Sequence, residues 1–348
     1  MRWLLAVAML LGASGMVQAA PPAVGGSLHA PEFWQAYKSR FVTPAGRVVD
    51  TANKNISHSE GQGYAMLLAV AADDRATFDL LWQWSRAQLI RDDSLFAWKW
   101  DPEATPHVID ANNATDGDLL IAWALAEAGD YWPGAPYGAA AAEIAEAISK
   151  ADVVETAFGP TLTPGRIGFE AEDRPDGPVV NLSYWVFPAL WRLQTIAPDG
   201  PWGALVKSGT AIAATARFGA QQLPTDWISL KGAPRPADGY PKTFGYDAIR
   251  IPLYLAWGGL ASKATLAPYA ALWADPAAPP RRLDLAAGET LEPMPNKGYL
   301  AIAALTRCAA LRTRIPTDLT GADLDSYYPS TMRALTLIAA HQRFPQCL

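Results

Sequence analysis

The chain has little with which to cross-link itself or to bind by charge. Only two of its 348 residues are cysteine, Cys308 and Cys347, too few for a disulfide scaffold. Whether the two pair and tie down the C-terminus stays open, because spacing does not fix how closely they approach. Charged residues make up 18%, with 28 Lys and Arg against 34 Asp and Glu, for a net charge of -6 and a pI near 5.3. Phosphate backbones demand clustered Lys and Arg, so nucleic acid is excluded and the expected partner is neutral. Beyond the first twenty residues no apolar run is long enough to span a bilayer, so no stable membrane insertion is expected. No Ser/Gly linker or low-complexity break divides the chain, and residues 21–348 are ample for one large core, expected to be a single domain. No Ser-His-Asp order, paired-cysteine site or phosphate loop stands out. Gly61-Gln62-Gly63 lacks the later glycine and preceding strand of a dinucleotide fingerprint.

What is present begins with Arg2, the apolar run Leu4 to Leu11, and small residues ending Val17-Gln18-Ala19-Ala20. This reads as a secretory signal peptide over residues 1–20, cleaved near Ala19 or Ala20, and implies a periplasmic or secreted protein. Fourteen tryptophans, many beside Gly, Pro or Asp, exceed what a core needs and suit a groove that stacks flat neutral ligands such as sugar rings. The rest is helical in pattern. Apolar residues at three- and four-residue spacing predict helices over 31–39, 60–72, 75–89, 116–128, 137–150, 182–195, 202–218, 251–260, 262–273, 297–311 and 330–342. Within 152–169, the run Val153-Val154-Glu155-Thr156 and the turn pair Pro164-Gly165 predict a small hairpin. Long loops rich in Trp, Pro and Asp join these elements, and such loops carry most binding and catalytic groups.

Three constellations hold chemistry. Ser57-His58-Ser59-Glu60-Gly61-Gln62-Gly63-Tyr64 sets one carboxylate at the mouth of a helix. Ser57-x-x-Glu60 has capping-box spacing, which would make Glu60 merely structural. Against that, Gly61 and Gly63 each cost roughly 0.5–1 kcal/mol in a first turn, which makes sense if another molecule approaches the backbone. Asn112-Asn113-Ala114-Thr115-Asp116-Gly117-Asp118 runs into the next apolar helix, with Thr115 or Asp116 as candidate cap. A calcium loop would need Glu where Ile121 stands, so no metal is expected. In Phe244-Gly245-Tyr246-Asp247-Ala248-Ile249-Arg250-Ile251-Pro252, Pro252 opens a helix. Asp247 and Arg250 then form either a local ion pair or a general base with its organiser.

Together these motifs resemble glycoside hydrolase family 8. Ala114-Thr115-Asp116-Gly117-Asp118-Leu119-Leu120-Ile121-Ala122-Trp123-Ala124-Leu125, with Ala128 and Trp132, follows that family's signature, Ala126 being a packing departure. Ser59-Glu60-Gly61-Gln62-Gly63-Tyr64 is similar to its general-acid segment, and Tyr246-Asp247-Ala248-Ile249-Arg250 to its general-base segment. Within the family, Ala97-Trp98-Lys99-Trp100, Asn181-Leu182-Ser183-Tyr184 and the Asp247 segment resemble the periplasmic endoglucanases associated with bacterial cellulose synthase, where Pro often stands in place of Leu182.

The resemblance implies an all-α (α/α)6 barrel, a toroid of helical hairpins with a small β-hairpin and a cleft built from long loops. It also implies endo-hydrolysis of β-1,4-glucan with inversion and no cofactor, and a functional association with the cellulose synthase machinery. Glu60 would be the general acid, Asp247 the general base and Asp116 the grip on the sugar at the cleavage point. Tyr184, Arg250, Asn181 and Tyr246 would bind or position substrate. Trp98 and Trp100 would be stacking platforms, with core packing as the rival reading. Asp118, His58 and His107 are taken as structural. Xylan, chitosan or mixed-linkage glucan as substrate, a non-catalytic glucan-binding protein and a polysaccharide lyase are the alternatives.

Overall fold

Every stretch with helical apolar spacing forms a helix in the computed structural model, which describes residues 22–348. The signal peptide expected at residues 1–20 lies outside them. Eleven α-helices occur among the described residues: α1 (Pro31–Phe41), α2 (Ser59–Ala71), α3 (Arg75–Gln88), α4 (Thr115–Tyr131), α5 (Tyr137–Ala151), α6 (Phe187–Ile196), α7 (Trp202–Thr215), α8 (Ile251–Trp257), α9 (Lys263–Leu272), α10 (Lys297–Leu311) and α11 (Tyr327–Arg343).

Six of these close a ring, in which α2 touches α4, α4 touches α6, and so on through α8, α10 and α11 back to α2. Their composition explains the position, since a helix apolar all round belongs inside. Every residue of α2 except Glu60 is buried, and Thr115 to Ala128 of α4 are buried without a break. Each Leu, Ile or Phe so enclosed contributes about 1.5–3 kcal/mol. The outer helices are one-sided: α3 buries Phe78, Leu81 and Trp84, and α5 buries Tyr137, Ala141, Ile144 and Ile148. α3 packs on α2, α5 on α4, α7 on α6 and α9 on α10, while α1 reaches α11 through Tyr37 Oη and Thr331 Oγ1 at 2.8 Å. Six inner helices thus meet five outer ones. Between α10 and α11 a loop with one turn of 3-10 helix, Thr317–Leu319, takes the remaining place. There Cys308, near the end of α10, is disulfide-bonded to Cys347 beyond α11.

Several helix ends shift by up to three residues, α4, α7, α8 and α11 among them, and two departures from the sequence pattern are larger. The helix expected from residue 182 begins at Phe187. Asn181 Oδ1 accepts the Ser183 N–H at 3.1 Å and holds a separate 3-10 turn, and Pro188 then opens α6 in its first turn. The hairpin is tighter than expected: β3 (Val153–Thr156) pairs with β4 (Gly159–Leu162) about a turn at 157–158, with Gly159 at φ +89. Pro164-Gly165 lies beyond it.

The loops also form short strands that the sequence did not announce. β1 (Ser57–His58) pairs with β2 (Lys99–Trp100). A second sheet has order β5-β6-β7, from β5 (Val179–Val180), β6 (Ile228–Ser229) and β7 (Arg235–Pro236). A third has order β10-β9-β8, from β8 (Thr243–Phe244), β9 (Arg281–Asp284) and β10 (Glu289–Pro293). No helix among the described residues is long and apolar enough to cross a membrane.

Candidate active site

One mouth of the ring collects the N-terminal ends of all six inner helices around a cleft of about 610 Å³. Glu60 enters it from α2, Asp116 from α4, Tyr184 from the turn before α6, Asp247 from the turn before α8, Tyr299 from α10 and Tyr328 from α11. Helix N-termini carry partial positive charge, so carboxylates are favoured there.

Glu60 is aimed by its neighbours. The helix cap is His58, whose Nδ1 accepts the Gly61 N–H at 3.0 Å. The expected capping box does not form, because Ser57 belongs to β1 and its hydroxyl donates to the Val48 carbonyl at 2.5 Å. Glu60 Oε1 forms an ion pair with Arg250 and accepts the Tyr64 hydroxyl proton at 2.9 Å from one turn further along α2. The first-turn glycines answer to helix packing rather than to an approaching ligand, a second correction. A Cβ on Gly61 would lie 2.7 Å from Tyr327 Oη, and one on Gly63 would lie 2.6 Å from Leu120 Cβ. On α4, a Cβ on Gly117 would collide with Ser59 Oγ and come 2.7 Å from the Glu60 nitrogen. These absent methyl groups bring Glu60 and Asp116 to one place.

Asp116 is 3% exposed. Its Oδ1 accepts the Gly117 N–H at 2.8 Å and its Oδ2 lies 3.4 Å from Arg250 Nη1. Burial first, then the charge of Asp247, pushes its carboxyl well above the usual range. Thr115 is no cap, since its hydroxyl donates to the Thr163 carbonyl. Asp118, two residues on, faces away from the cleft, accepting the Phe96 N–H at 2.9 Å and the Asn113 amide at 2.8 Å.

Asp247 precedes a 3-10 turn, Ala248–Arg250, that leads into α8. Arg250 Nη2 donates to its Oδ1 at 3.0 Å, and Asn181 Nδ2 to its Oδ2 at 2.9 Å. A third of its side chain stays open to the cleft. Burial and then the charge of Asp226 raise its proton affinity, while the Asn181 amide opposes them. Arg250 itself is 2% exposed. It serves Glu60, Asp116 and Asp247 at once, donates to Ser183 Oγ at 2.8 Å and lies 5.9 Å from the centre of the Tyr184 ring. Burial, with the charges of Asp116 and Asp247 behind it, keeps the Tyr184 hydroxyl protonated.

Of the residues singled out from sequence, Glu60, Asp116, Tyr184, Asp247, Arg250, Tyr246 and Trp98 line the cleft. Asn181 stands behind it, holding Asp247. Trp98 is anchored by its indole N–H to Asp110 Oδ2 at 2.8 Å, and Tyr246 sits at the rim with its hydroxyl donating to Glu292 at 3.1 Å. Trp100 is not part of the cleft wall: it packs edge-on to Trp84 and against His107, under the Arg47 guanidinium at 4.8 Å. His107 packs on Trp100 away from the cleft, whereas His58, expected to be structural, caps α2 and also lines the cleft, its Nδ1 3.7 Å from Glu60 Oε2. Sequence reasoning passed over Tyr64, Tyr299, Tyr328 and Asp226. Tyr64, four residues beyond Glu60, was the one with a readable signal.

The arrangement offers Glu60 and Asp116 on one terminal nitrogen of a single guanidinium and Asp247 on the other, with aromatic rings at the walls. A model of the glycosyl hydrolases family 8 matches residues 9–342. A probable endoglucanase of Novacetimonas hansenii is 36% identical over 314 residues, covering 88% of this chain and 89% of that protein. An endoglucanase of Cellulomonas uda is 43% identical over 228 residues, 64% of this chain and 62% of that protein. Among solved structures, the endo-β-1,4-glucanase CMCax from Acetobacter xylinum superposes with a TM-score of 0.82 at 35% identity, over 93% of this chain and 99% of that one.

Proposed function

The chain belongs to glycosyl hydrolases family 8, folded as that family's (α/α)6 barrel, and from this premise we infer that it is an endo-acting β-1,4-glucanase that cuts cellulose chains with inversion. The observation that carries the reading is the single Arg250 guanidinium shared by Glu60, Asp116 and Asp247 at the mouth of the cleft. Inversion needs a proton donor on one side of the sugar and an activated water on the other, with the two carboxyls roughly 6.5–9.5 Å apart. Glu60 and Asp247 pair with different terminal nitrogens of that guanidinium, which supports their standing apart rather than in contact.

Glu60 delivers a proton to the leaving oxygen. It first has to part from Arg250 and take up a proton from solvent, after which the protonated carboxyl donates to the arriving glycosidic oxygen. Asp247, ionised, takes a proton from water, and its raised proton affinity makes it a stronger base at the moment of attack. Asp116 accepts from hydroxyls of the sugar at the cleavage point, while Tyr184 closes the same wall. Trp98 and Tyr246, both partly exposed at the rim, give the glucan faces to stack on. An exported location belongs to the same proposal, supported by the leader pattern of residues 1–20, as does service alongside cellulose synthase.

Glu60→Gln and Asp247→Asn each preserve shape while removing the proton donor or acceptor. Reducing-end release from carboxymethylcellulose should fall by about 10²–10⁴-fold in each, with helix content by circular dichroism unchanged. Near-normal turnover in either variant would sink the assignment.

A further inference from the structure

Asp247 sits in an irregular turn that neither β8 nor α8 holds by its own ladder, yet a base must be aimed to within a fraction of an ångström. The residue in position to aim it is Asp226, just before β6 and twenty-one residues upstream of Asp247 in the sequence. Its Oδ1 accepts the Gly245 N–H at 3.0 Å and the Ala248 N–H at 2.8 Å, one donor on either side of Asp247. Its Oδ2 accepts the Thr243 hydroxyl at 3.0 Å, and its own N–H donates to the Thr243 carbonyl at 2.8 Å. One half-buried carboxylate therefore clasps the whole turn and fastens the β5-β6-β7 sheet to the β10-β9-β8 sheet. Gly245 is what lets it close: a Cβ there would lie 2.5 Å from Asp226 Oδ2.

We propose that Asp226 is a positioning residue for the base, orienting Asp247 through the Gly245–Ala248 turn and setting the charge against which Asp247 takes its proton. The inference rests on Asp247 being the general base. Around the pair, Arg250 touches Asp247, Asp116 and Tyr328 face it from α4 and α11, Tyr184 faces it from the turn before α6, and Arg282 of β9 faces Asp226. Burial raises the proton affinity of Asp226 itself, opposed by its Ala248, Thr243 and Gly245 donors, and in its ionised form it is the negative charge that most raises Asp247. Removing it lets Asp247 ionise at lower pH, so the acid limb of the rate profile moves down.

The test is Asp226→Asn, which keeps an acceptor for the two backbone donors and removes the charge. The kcat/KM–pH profile on a soluble cellulose derivative should show its acid limb displaced to lower pH, with kcat reduced by up to about 10²-fold and KM close to that of the parent. A part that only stabilises the fold would lower Tm and leave the limb in place, so an unmoved acid limb overturns the inference whatever happens to kcat. If Asp226→Asn is not recovered folded, Gly245→Ala decides, because its methyl group pries the clasp open. A drop in kcat at constant KM supports the proposal, and parental kcat overturns it. Activity persisting in Asp247→Asn would instead remove the base itself, so the two failures are distinct.

Discussion

Asp116 and Asp118 stand two residues apart in the first turn of α4, both buried and both pushed well above the ordinary carboxyl range by that burial. Their surroundings part completely. Asp116 looks into an open cleft and shares one guanidinium with two other carboxylates. Asp118 looks into the protein, where the Asn113 amide bridges it to Asp152, donating at 2.8 Å to each. A cation shared among carboxylates at an opening keeps charge available for a reaction. An amide shared between enclosed carboxyls brings no charge of its own, and burial pushes Asp152 up to about 7 against the Asn113 amide and the charge of Arg91. Burial alone therefore says nothing about function, whereas the partner and the exit do.

The contrast can be broken most severely at Arg250. Arg250→Met leaves three carboxylates without their cation, and turnover of carboxymethylcellulose should fall by about 10²–10³-fold, with thermal unfolding reporting about 3–5 kcal/mol of lost stability. Next comes the contact that puts both aspartates where they are. Gly117→Ala forces α4 from α2 against Ser59 and Glu60, costing about 1–3 kcal/mol. Turnover should drop on the order of tenfold or more as the acid is displaced, read as kcat at saturating substrate.

The smallest effect on turnover sharpens the other side of the comparison. Asp152→Asn should leave kcat near the parental value and alter only the pH dependence of stability. For a carboxyl whose folded affinity is raised, the stabilisation is complete below its unfolded value of 3.8 and is lost as pH climbs through about 7. The parent's stability, followed as Tm, should therefore decline relative to Asp152→Asn across that window, by at most about 4 kcal/mol at about 1.4 kcal/mol per unit. Parallel Tm curves would place the proton elsewhere in the cluster.

How far the sequence could be read follows from the same physics. α2 and α4 were legible because their long apolar stretches have one outcome even though the expected caps did not form, and the start of α6 was misjudged where Asn181 and Pro188 compete for it. Glu60, Asp116 and Asp247 were legible through local motifs. The two-residue strands were not, since they carry no period of their own and exist because distant loops meet. Trp98 and Trp100 stand in the same short segment, and what separates them is Trp84, His107 and Arg47, contacts no spacing rule contains. Asp226 lay in Thr225-Asp226-Trp227 without any pattern, its meaning supplied wholly by the turn it clasps.

The count of five outer helices around six has an outcome for handling the protein. At the one place where the second layer is absent, the Cys308–Cys347 bond joins the end of α10 to the tail beyond α11, standing in covalently for a missing helix. These two helices also supply one lip of the cleft through Tyr299 and Tyr328. Chain made in a reducing cytosol closes this part of the ring by packing alone, so warming loosens the C-terminal ends of α10 and α11, at the far end from that lip, ahead of the rest. Preparations from oxidising and reducing hosts are then two different materials with one sequence, and their shelf life, rather than their chemistry, is where they diverge.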